Sequence, residues 1–342
     1  MSARYRPVPR TGGLRPPGAL PIAGGPVWFS EAVRHSRGTA PDLVPVAAVP
    51  AEIAARIASG RAAVCGLSLD RPRLMAVLNV TPDSFSDGGR HLAPADALAR
   101  ARALLAAGAD LLDIGGESTR PGAEPVPEAE ERARILPVIA ALRAEGVTAP
   151  ISVDTRKAGV AEAAFAAGAD LWNDVSALTH DPASPDLAAR SGRGLCLMHA
   201  QGDPRTMQLA PRYDDVLLDV CDYLDGRLAA AEALGIPRAR VILDPGIGFG
   251  KTTAHNLDLI RGLALFHALG APLLVGVSRK RFIGEIGDAP VASERAPGSI
   301  AVALEALRQG VQLLRVHDVA ETRQAVALWW ALNGGQDRAG AD

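Results

Sequence analysis

The sequence predicts an α/β fold, a (β/α)8 TIM barrel in which eight parallel strands are enclosed by helices. From Leu74 onward, short apolar runs alternate with alanine-rich stretches, a pattern typical of successive βα units. Eight such units in about 260 residues are the number and length that a closed barrel needs. An open, doubly wound parallel sheet is the alternative that the same alternation allows. The predicted strands are residues 74–80, 111–115, 151–154, 171–175, 194–198, 241–244, 272–277 and 311–316, and the last helix is residues 319–332.

A short internal repeat supports the strand count. The sequence Ala-Gly-Ala-Asp-Leu occurs at residues 107–111 and again at residues 167–171, each time where a predicted strand begins. A glycine just past a helix end often adopts the left-handed conformation that stops the helix. We therefore predict a structural role for Gly108 and Gly168, at the junctions between a helix and the next strand.

The first part of the chain differs in texture from the rest. Prolines and glycines are scattered from Arg10 to Pro26 without a sustained period, which favours loops or disorder. Residues 29–34 and 51–58 are two short candidates for helices. This segment has no convergent set of polar residues, so we expect it to be partly disordered or docked on the outside of the barrel. The predicted divisions are an irregular N-terminal extension at 1–60, a barrel at 61–334 and a flexible tail at 335–342.

The composition excludes several classes of protein. Of the 342 residues, 48% are hydrophobic, enough for a large core, and a formal net charge of −2 gives no sign of nucleic-acid binding. The three cysteines, Cys65, Cys196 and Cys221, lack metal-ligand spacing, and their odd number suits a reducing compartment. No apolar run approaches the length of a membrane span, and the N-terminus lacks an apolar signal core. We therefore expect a soluble, cytoplasmic protein.

Polar residues close nearly every predicted strand. The C-terminal ends of the strands share one face of a barrel, and barrel enzymes place their active sites there. A ring of polar groups converging on one mouth therefore predicts an active site. The residues at these ends are Asn79, Asp113, Asp154, Asn173, His199, Asp244, Ser278, Lys280, Arg315 and His317.

Two polar, glycine-containing loops follow the first two predicted strands. Residues 75–89 read Met-Ala-Val-Leu-Asn-Val-Thr-Pro-Asp-Ser-Phe-Ser-Asp-Gly-Gly, an apolar strand ended by a proline and followed by a polar loop. By itself this stretch is also compatible with a capped turn. Residues 113–122 read Asp-Ile-Gly-Gly-Glu-Ser-Thr-Arg-Pro-Gly, and such a loop can present backbone N–H groups and an arginine to an anion. Both loops exceed the usual length of βα connections, which predicts mobile functional loops.

The later strand ends suggest a ligand with two chemical ends. Carboxylate and amide groups at Asp154, Asn173 and Asp244 suit a flat heterocycle that presents N–H donors and a carbonyl, with Met198 as a candidate apolar wall or an ordinary core residue. Cationic residues after strands seven and eight match the usual anion site of barrel enzymes. Residues 244–251, Asp-Pro-Gly-Ile-Gly-Phe-Gly-Lys, are not a P-loop because the spacing of the lysine is wrong.

Residues 79–89 resemble the first signature of the dihydropteroate synthase family, and residues 113–126 resemble its second signature. The resemblance covers roughly residues 61–332 and implies a transferase that joins a dihydropterin pyrophosphate to p-aminobenzoate in folate biosynthesis. Two departures are Ala200, where the family commonly has a methionine, and residues 281–283, where smaller residues are commoner. Neither change removes a polar residue of the expected site.

The resemblance also implies roles for individual residues. Four residues would hold the pterin: Asp154, Asn173, Asp244 and Lys280. The pyrophosphate would be held by Asn79, Arg315 and His317, with Mg2+ bound near Asn79. The p-aminobenzoate pocket would be shaped by Thr119, Pro121, Ser278 and Phe85, with Asp87 and Arg120 completing the loops over it. The expected catalytic residues are Asp87, Lys280 and Arg315, and the remaining substrate-binding residues are Met198 and Phe249.

Two other functions are compatible with a pterin-binding barrel. A methyltetrahydrofolate-dependent, corrinoid methyltransferase-like barrel would share the pterin pocket but would not need the loops at 79–89 and 118–122. A non-catalytic pterin-binding protein is expected to have lost Lys280, Arg315 or the first loop, and all of these are present.

The expected partners are the two small-molecule substrates and a second copy of the chain, with neither nucleic acid nor membrane. Residues 325–332 are too apolar around the helix for a single buried face. Together with the family resemblance, this stretch predicts a homodimer. The alternative is that Trp329 and Trp330 pack within the monomer.

Overall fold

The structure is a computed structural model that describes residues 3–81, 94–118, 124–202 and 206–334. Within the extension, β1 pairs antiparallel with β4, which pairs in turn with β5, and β2 and β3 form a separate two-stranded ribbon. The elements of this part are β1 (Arg4–Pro7), β2 (Leu20–Pro21), β3 (Trp28–Phe29), β4 (Glu31–His35), β5 (Asp42–Pro45), a 3-10 turn (Val46–Ala48) and α1 (Ala51–Ala58).

The two short helices predicted in the extension have different outcomes. The helix at residues 51–58 is confirmed as α1. The helix predicted at residues 29–34 is wrong, because this stretch ends β3 and forms most of β4. Since β4 lies between β1 and β5 in one sheet, hydrogen bonding to both neighbours decides its conformation.

The extension packs against the barrel through apolar side chains. Ile22, Val27, Phe29 and Ile57 are almost fully buried and belong to the same cluster as the barrel core. The guanidinium of Arg61 also donates to the carbonyl oxygen of His267 at 3.2 Å. The side of the barrel is therefore covered by this segment.

Eight parallel strands form the predicted barrel. Seven neighbouring pairs are hydrogen-bonded in the order β11-β10-β9-β8-β7-β6-β13-β12, and a parallel bridge between Leu243 and Leu273 joins the two end strands. The barrel is thus confirmed and the open sheet is wrong. Its strands are β6 (Arg73–Asn79), β7 (Leu111–Gly115), β8 (Ile151–Asp154), β9 (Leu171–Asp174), β10 (Gly194–Met198), β11 (Val241–Asp244), β12 (Leu274–Val275) and β13 (Leu313–Val316).

The strand predicted at residues 272–277 is much shorter in the structure. Only Leu274 and Val275 pair with β13, and Pro272 has no N–H to donate, although its carbonyl accepts from Leu243 N at 2.9 Å. The other predicted strands agree with the observed ones to within two residues at each end.

Helices alternate with these strands as predicted. Among the described helices, none combines the length and apolar character needed to cross a membrane. The α-helices are α2 (Pro94–Ala106), α3 (Glu128–Ala144), α4 (Ala158–Ala167), α5 (Ser184–Ser191), α6 (Val216–Ala233), α7 (Thr253–Arg261), α8 (Arg281–Ile286), α9 (Ala296–Arg308) and α10 (Val319–Asn333), and the later 3-10 helices are Arg238–Arg240, Leu263–Leu269 and Ala292–Arg295.

The internal repeat has the structural role that its glycines predict. Gly108 and Gly168 have φ values of +98° and +113°, in the left-handed region. The aspartate of each repeat then accepts the backbone N–H that begins a neighbouring strand: Asp110 from Leu74 at 2.7 Å, and Asp170 from Ile151 at 2.9 Å. The repeat therefore fixes where adjacent strands start.

The N-terminal half of the barrel interior is filled by apolar side chains. Val64 and Leu69, from the segment that enters the barrel, close this end beside residues of seven strands. Because apolar packing occupies this end, the polar strand ends are left at the opposite mouth. The cluster consists of Val64, Leu69, Met75, Leu111, Leu171, Cys196, Ile242, Leu274 and Leu313.

Replacing Phe29 with alanine should lower the free energy of unfolding by about 3–5 kcal/mol, because its fully buried ring joins the extension to the barrel core. Urea denaturation followed by circular dichroism measures this change. Leu43→Ala is the control in the same extension, since Leu43 is 59% exposed and its loss should cost no more than about 0.5 kcal/mol. Equal denaturation midpoints for the two variants would contradict the packing described here.

Candidate active site

A buried ion cluster lies at the C-terminal mouth of the barrel. Arg315, on β13, donates from Nε to Asp113 Oδ2 at 2.6 Å and from Nη2 to Asp154 Oδ2 at 2.8 Å. Asn173 Nδ2 donates to the same oxygen of Asp113 at 3.1 Å. These side chains, which are far apart in the sequence, thus join four strands: β7, β8, β9 and β13.

The cluster has more acceptors than donors. Asp113 and Asp154 each keep one buried oxygen, Oδ1, without a hydrogen-bond partner among the described residues. One guanidinium charge is shared by two carboxylates, which leaves an excess of negative charge in a desolvated site. A ligand that brings N–H donors would satisfy these oxygens.

The pKa values reflect this imbalance. Burial raises the pKa of Asp154 to about 7, although the charge of Arg315 opposes the rise. Burial alone would lower the pKa of Arg315, but the charges of Asp113 and Asp154 outweigh that effect and raise it. Arg315 therefore stays charged, and burial disfavours the ionised form of Asp154 because one guanidinium is shared between two carboxylates.

Asp244 lies at the end of β11, beside Met198 in the strand register. Its Oδ1 accepts the backbone N–H of Gly246 at 2.7 Å, which leaves the other oxygen for a ligand. Burial raises the pKa of Asp244 to about 6. Gly246 has φ +67°, and a Cβ there would come within 1.8 Å of the carbonyl oxygen of His199, so only glycine fits this turn.

Two lysines have different environments in this part of the site. The ammonium of Lys280 lies 4.0 Å from the centroid of the Phe249 ring, a cation–π contact that brings two predicted site residues together. The ammonium of Lys251 is buried, 2.9 Å from His199 Nδ1 and 3.0 Å from the carbonyl oxygen of Phe249. Lys251 therefore joins the loop after β11 to the end of β10.

Burial disfavours the charged forms of Lys251 and His199. It lowers the pKa of Lys251 to about 7 and that of His199 to about 3. His199 is therefore neutral and can accept from Lys251. Lys251 was not among the predicted site residues, and the only sequence signal for it is its place at the end of the glycine-rich run 244–251.

Ser278 and His317 meet across the gap between β12 and β13. Ser278 Oγ accepts the backbone N–H of His317 at 3.1 Å and lies 3.0 Å from its Nδ1. The residue between Ser278 and Lys280 is Arg279, which has φ +59° and forms an ion pair with Asp318 through two hydrogen bonds. The ion pair between Arg279 and Asp318 therefore holds the turn in which Ser278 and Lys280 flank Arg279.

Buried charged side chains also connect the two ends of the second glycine-rich loop, residues 116–127. Glu117 Oε1 accepts the backbone N–H of Val126 at 2.9 Å, and its Oε2 lies 3.2 Å from Lys157 Nζ. Lys157 donates in turn to Glu131 at 2.6 Å. The two described ends of this loop are therefore tied to each other and to α3, an arrangement that the sequence analysis did not identify.

The predicted site residues thus fall into two groups. Those in the described residues lie at the barrel mouth, with direct contacts between Asp154 and Arg315, Ser278 and His317, and Lys280 and Phe249. Asp113, predicted only as a strand end, is a central member of the ion cluster. The predicted residues that lie outside the described part of the chain are Phe85, Asp87, Thr119, Arg120 and Pro121.

The donor set bears on the expected Mg2+. Within the described residues, no group of three or more His, Cys, Asp or Glu side chains is arranged to hold a metal ion. Asn79, half-buried at the end of β6, can offer one amide oxygen. Mg2+ is commonly held by one or two protein ligands together with water and substrate phosphates, so this donor set fits a metal that binds with a diphosphate.

Comparison with known proteins places this site in a family. Residues 75–317 match the pterin binding enzyme family. Dihydropteroate synthase of Neisseria meningitidis serogroup B is 50% identical over 271 residues, covering 78% of this chain and 94% of that protein. The chain belongs to the dihydropteroate synthase family. The Escherichia coli K12 dihydropteroate synthase is 47% identical over 260 residues, covering 76% of this chain and 91% of that enzyme.

Solved dihydropteroate synthases have the same fold. The Xanthomonas albilineans enzyme with 4-aminobenzoic acid has a TM-score of 0.74 at 49% identity, covering 79% of this chain and 97% of that one. A structure of the same enzyme with 7,8-dihydropteroate has a TM-score of 0.71 at 47% identity, covering 78% and 95%. These likenesses support a dihydropteroate synthase and not the methyltransferase-like or non-catalytic alternatives.

Proposed function

We propose that the protein condenses 6-hydroxymethyl-7,8-dihydropterin pyrophosphate with p-aminobenzoate to give 7,8-dihydropteroate and pyrophosphate. The observation that supports this function best is the acceptor-rich floor of the site, where buried carboxylate oxygens of Asp113 and Asp154 have no donor among the described residues. The amino-pyrimidinone edge of a pterin supplies adjacent N–H donors of the required kind. Membership of the dihydropteroate synthase family supports the same substrate.

The pterin end of the substrate fits the deep part of the site. Asp154 and Asp244 would accept from the amino and ring N–H groups, while the amide of Asn173 and the ammonium of Lys280 would donate to the ring nitrogens and carbonyl. Met198 and the ring of Phe249 supply apolar surface for the faces of the heterocycle. In these contacts, buried acceptors that lack a donor would gain charge-assisted hydrogen bonds from the ligand.

The pyrophosphate end would lie toward Arg315, His317 and Asn79. Two nitrogens of Arg315 are occupied by the carboxylates, so its remaining nitrogen is the one for a phosphate oxygen. Mg2+, held by Asn79 and the diphosphate, would supply further positive charge when bound. Fixed positive charge beside a leaving diphosphate stabilises the transition state by several kcal/mol in comparable sites, roughly 3–4 kcal/mol per strong interaction.

The reaction needs little from the protein beyond this electrostatic stabilisation. No cysteine lies beside a general base at the described strand ends. Ser278 Oγ lies 3.0 Å from His317 Nδ1, but it also accepts the backbone N–H of His317 and is assigned here to the p-aminobenzoate pocket. The arylamine is itself nucleophilic, so the reaction does not need a protein nucleophile. The bond between the pterin methylene carbon and the diphosphate oxygen breaks, and its electrons leave with the pyrophosphate. The amine nitrogen then bonds to the methylene carbon and releases its proton to the pyrophosphate or to water.

By family resemblance, the p-aminobenzoate pocket would include Ser278 with Phe85, Thr119 and Pro121, and Asp87 and Arg120 would act over the bound substrates. The position of Ser278 beside His317 would place the amine next to the departing diphosphate. Asp87 would stabilise positive charge on the dihydropterin as the diphosphate leaves. Binding would then be ordered, with the pterin pyrophosphate first.

The decisive assay measures pyrophosphate release from 6-hydroxymethyl-7,8-dihydropterin pyrophosphate with and without p-aminobenzoate. Release should depend on p-aminobenzoate, and calorimetry should detect p-aminobenzoate binding only when pyrophosphate is present.

Asp244→Asn should weaken pterin binding by about 1.5–3 kcal/mol, because an amide presents donors where the ligand also donates. Asp186→Asn is the control and should leave pterin binding unchanged, because the Asp186 side chain on α5 is 83% exposed. Pyrophosphate release that ignores p-aminobenzoate, or equal p-aminobenzoate affinity without pyrophosphate, would contradict the proposal.

We further propose that the protein is a cytoplasmic homodimer. The three cysteines are free thiols, as suits a reducing compartment. On α10, Trp329 is buried and Trp330 packs against the core, as the monomer alternative predicted, but Leu328 and Leu332 are 63% and 82% exposed one turn apart. These two leucines form an apolar strip that a second copy would cover.

Light scattering at micromolar concentration should give the mass of a dimer. Leu328→Glu should shift the protein toward monomer, because the interface would then bury a carboxylate without a partner. Leu209→Glu is the control, since Leu209 is 80% exposed and distant in sequence from α10. A wild-type monomer under these conditions would contradict the dimer.

A further inference from the structure

Two arginines of the N-terminal extension reach the same barrel helix. Arg4 donates to Asp222 Oδ1 and Asp225 Oδ2, both at 2.8 Å. Arg37 donates to Asp219 Oδ1 at 2.6 Å and to Asp222 Oδ2 at 2.7 Å. The extension, which lies before the region that matches the family, is therefore joined to the first turns of α6 by two cations and three carboxylates.

Asp219 links these ion pairs to the loop that precedes α6. The second oxygen of Asp219 accepts the backbone N–H groups of Asp214 and Asp215, at 3.0 and 3.2 Å. Asp215 is the N-cap of α6 and accepts from the backbone N–H groups of the helix's first turn. Asp219 thus holds the last residues of the loop between β10 and α6, while its first oxygen is held by Arg37.

The residue before this capped turn touches the pterin side of the site. Tyr213 donates from its hydroxyl to the carbonyl oxygen of Gly250 at 2.7 Å, and its ring centroid lies 5.9 Å from that of His199. From the same loop, Gln208 donates to the carbonyl oxygen of Gly248 at 2.6 Å. These bonds fix the segment 248–251, which carries Phe249 and Lys251.

That segment bounds the place proposed for the pterin. Phe249 packs against the ammonium of Lys280, and Gly248 lies so close to the Lys280 side chain that a Cβ would approach its Cδ to 3.0 Å. A shift of the segment would therefore move Lys280 relative to Asp244. The path from the extension to the pterin wall runs through described, hydrogen-bonded residues at every step.

We propose that Arg37 is a positioning residue for the pterin-binding wall, acting through Asp219 and Tyr213. The extension is then a part of the enzyme that sets affinity for the pterin substrate. This inference rests on the proposed function, because its readout is the binding of dihydropterin pyrophosphate. Arg4 supplies docking alone, since neither Asp222 nor Asp225 bonds to the backbone of the loop in the part of it that the structure describes.

The test compares single arginine replacements in the full chain. Arg37→Ala should raise both Kd and KM for 6-hydroxymethyl-7,8-dihydropterin pyrophosphate about three- to fivefold, the scale of a half-exposed ion pair. At saturating pterin pyrophosphate, kcat and the KM for p-aminobenzoate should stay at wild-type values. Arg37→Lys should restore part of the affinity, because the charge remains while the two-pronged geometry is lost.

Three controls separate positioning from general destabilisation. Arg34→Ala removes an arginine that pairs with Asp42 of the extension itself, and should leave pterin affinity unchanged. Arg4→Ala should lower the melting temperature without changing the Kd. Asp219→Asn should match Arg37→Ala, and the double variant should be no worse than either alone, because both break the same path.

The outcomes distinguish this role from the proposed function. A wild-type protein that binds no dihydropterin pyrophosphate would contradict the function. If the wild type binds it, then unchanged affinity in Arg37→Ala would overturn the positioning role alone. An equal loss of affinity in Arg4→Ala would also overturn it, because docking rather than the Asp219 contact would then set the affinity.

Discussion

The candidate site depends on one guanidinium placed between two buried carboxylates. Arg315 is held by Asp113 and Asp154, which lie 202 and 161 positions earlier in the chain. Removing one partner of such a group leaves a buried charge without compensation, which commonly costs about 3–5 kcal/mol. The same contact orients Asp154 toward the barrel mouth. A site of this kind is stable only with its ion cluster complete, and it gains from a ligand that supplies the missing donors.

The rest of the fold supports this arrangement. Apolar side chains fill the opposite end of the barrel, so the ion cluster is shielded from water below. The glycine-rich segment after β11 packs so tightly on the end of β10 that Gly246 and Gly250 have no room for a side chain. The extension also contacts this segment indirectly. Arg37 bonds to Asp219 on α6, and Tyr213, in the loop that Asp219 holds, bonds to Gly250 of the glycine-rich segment.

Much of the fold follows from local sequence pattern. The strands at residues 111–115, 151–154, 194–198 and 241–244 are confirmed without a change of boundary, because a buried parallel strand needs an apolar run and a polar end. The helix predicted at residues 29–34 is wrong because sheet pairing with β1 and β5 is not visible in a local window. The polar strand ends predicted from the sequence also include Asp154, Asn173 and Arg315, which the structure brings together around Asp113.

Other features of the site could not be predicted because they are made by pairing between distant elements. Asp113 is one polar strand end among many until Arg315 and Asn173 are seen to share its oxygen. Lys251 is distinguished from a surface lysine only by burial against His199. The bond from Arg37 to Asp219 joins positions 182 residues apart, and nothing in either local sequence indicates it.

The most direct test of the central ion cluster is a double-mutant cycle in urea denaturation. Arg315→Ala alone should lower the free energy of unfolding by about 3–5 kcal/mol, because it leaves Asp113 and Asp154 buried together without a cation. Adding Asp113→Asn should recover part of that loss, since it removes one of the two charges while the amide oxygen can still accept from Asn173. A double variant more stable than Arg315→Ala is the predicted result. If instead the two single losses add, the carboxylates do not depend on Arg315, and the account of the site is contradicted.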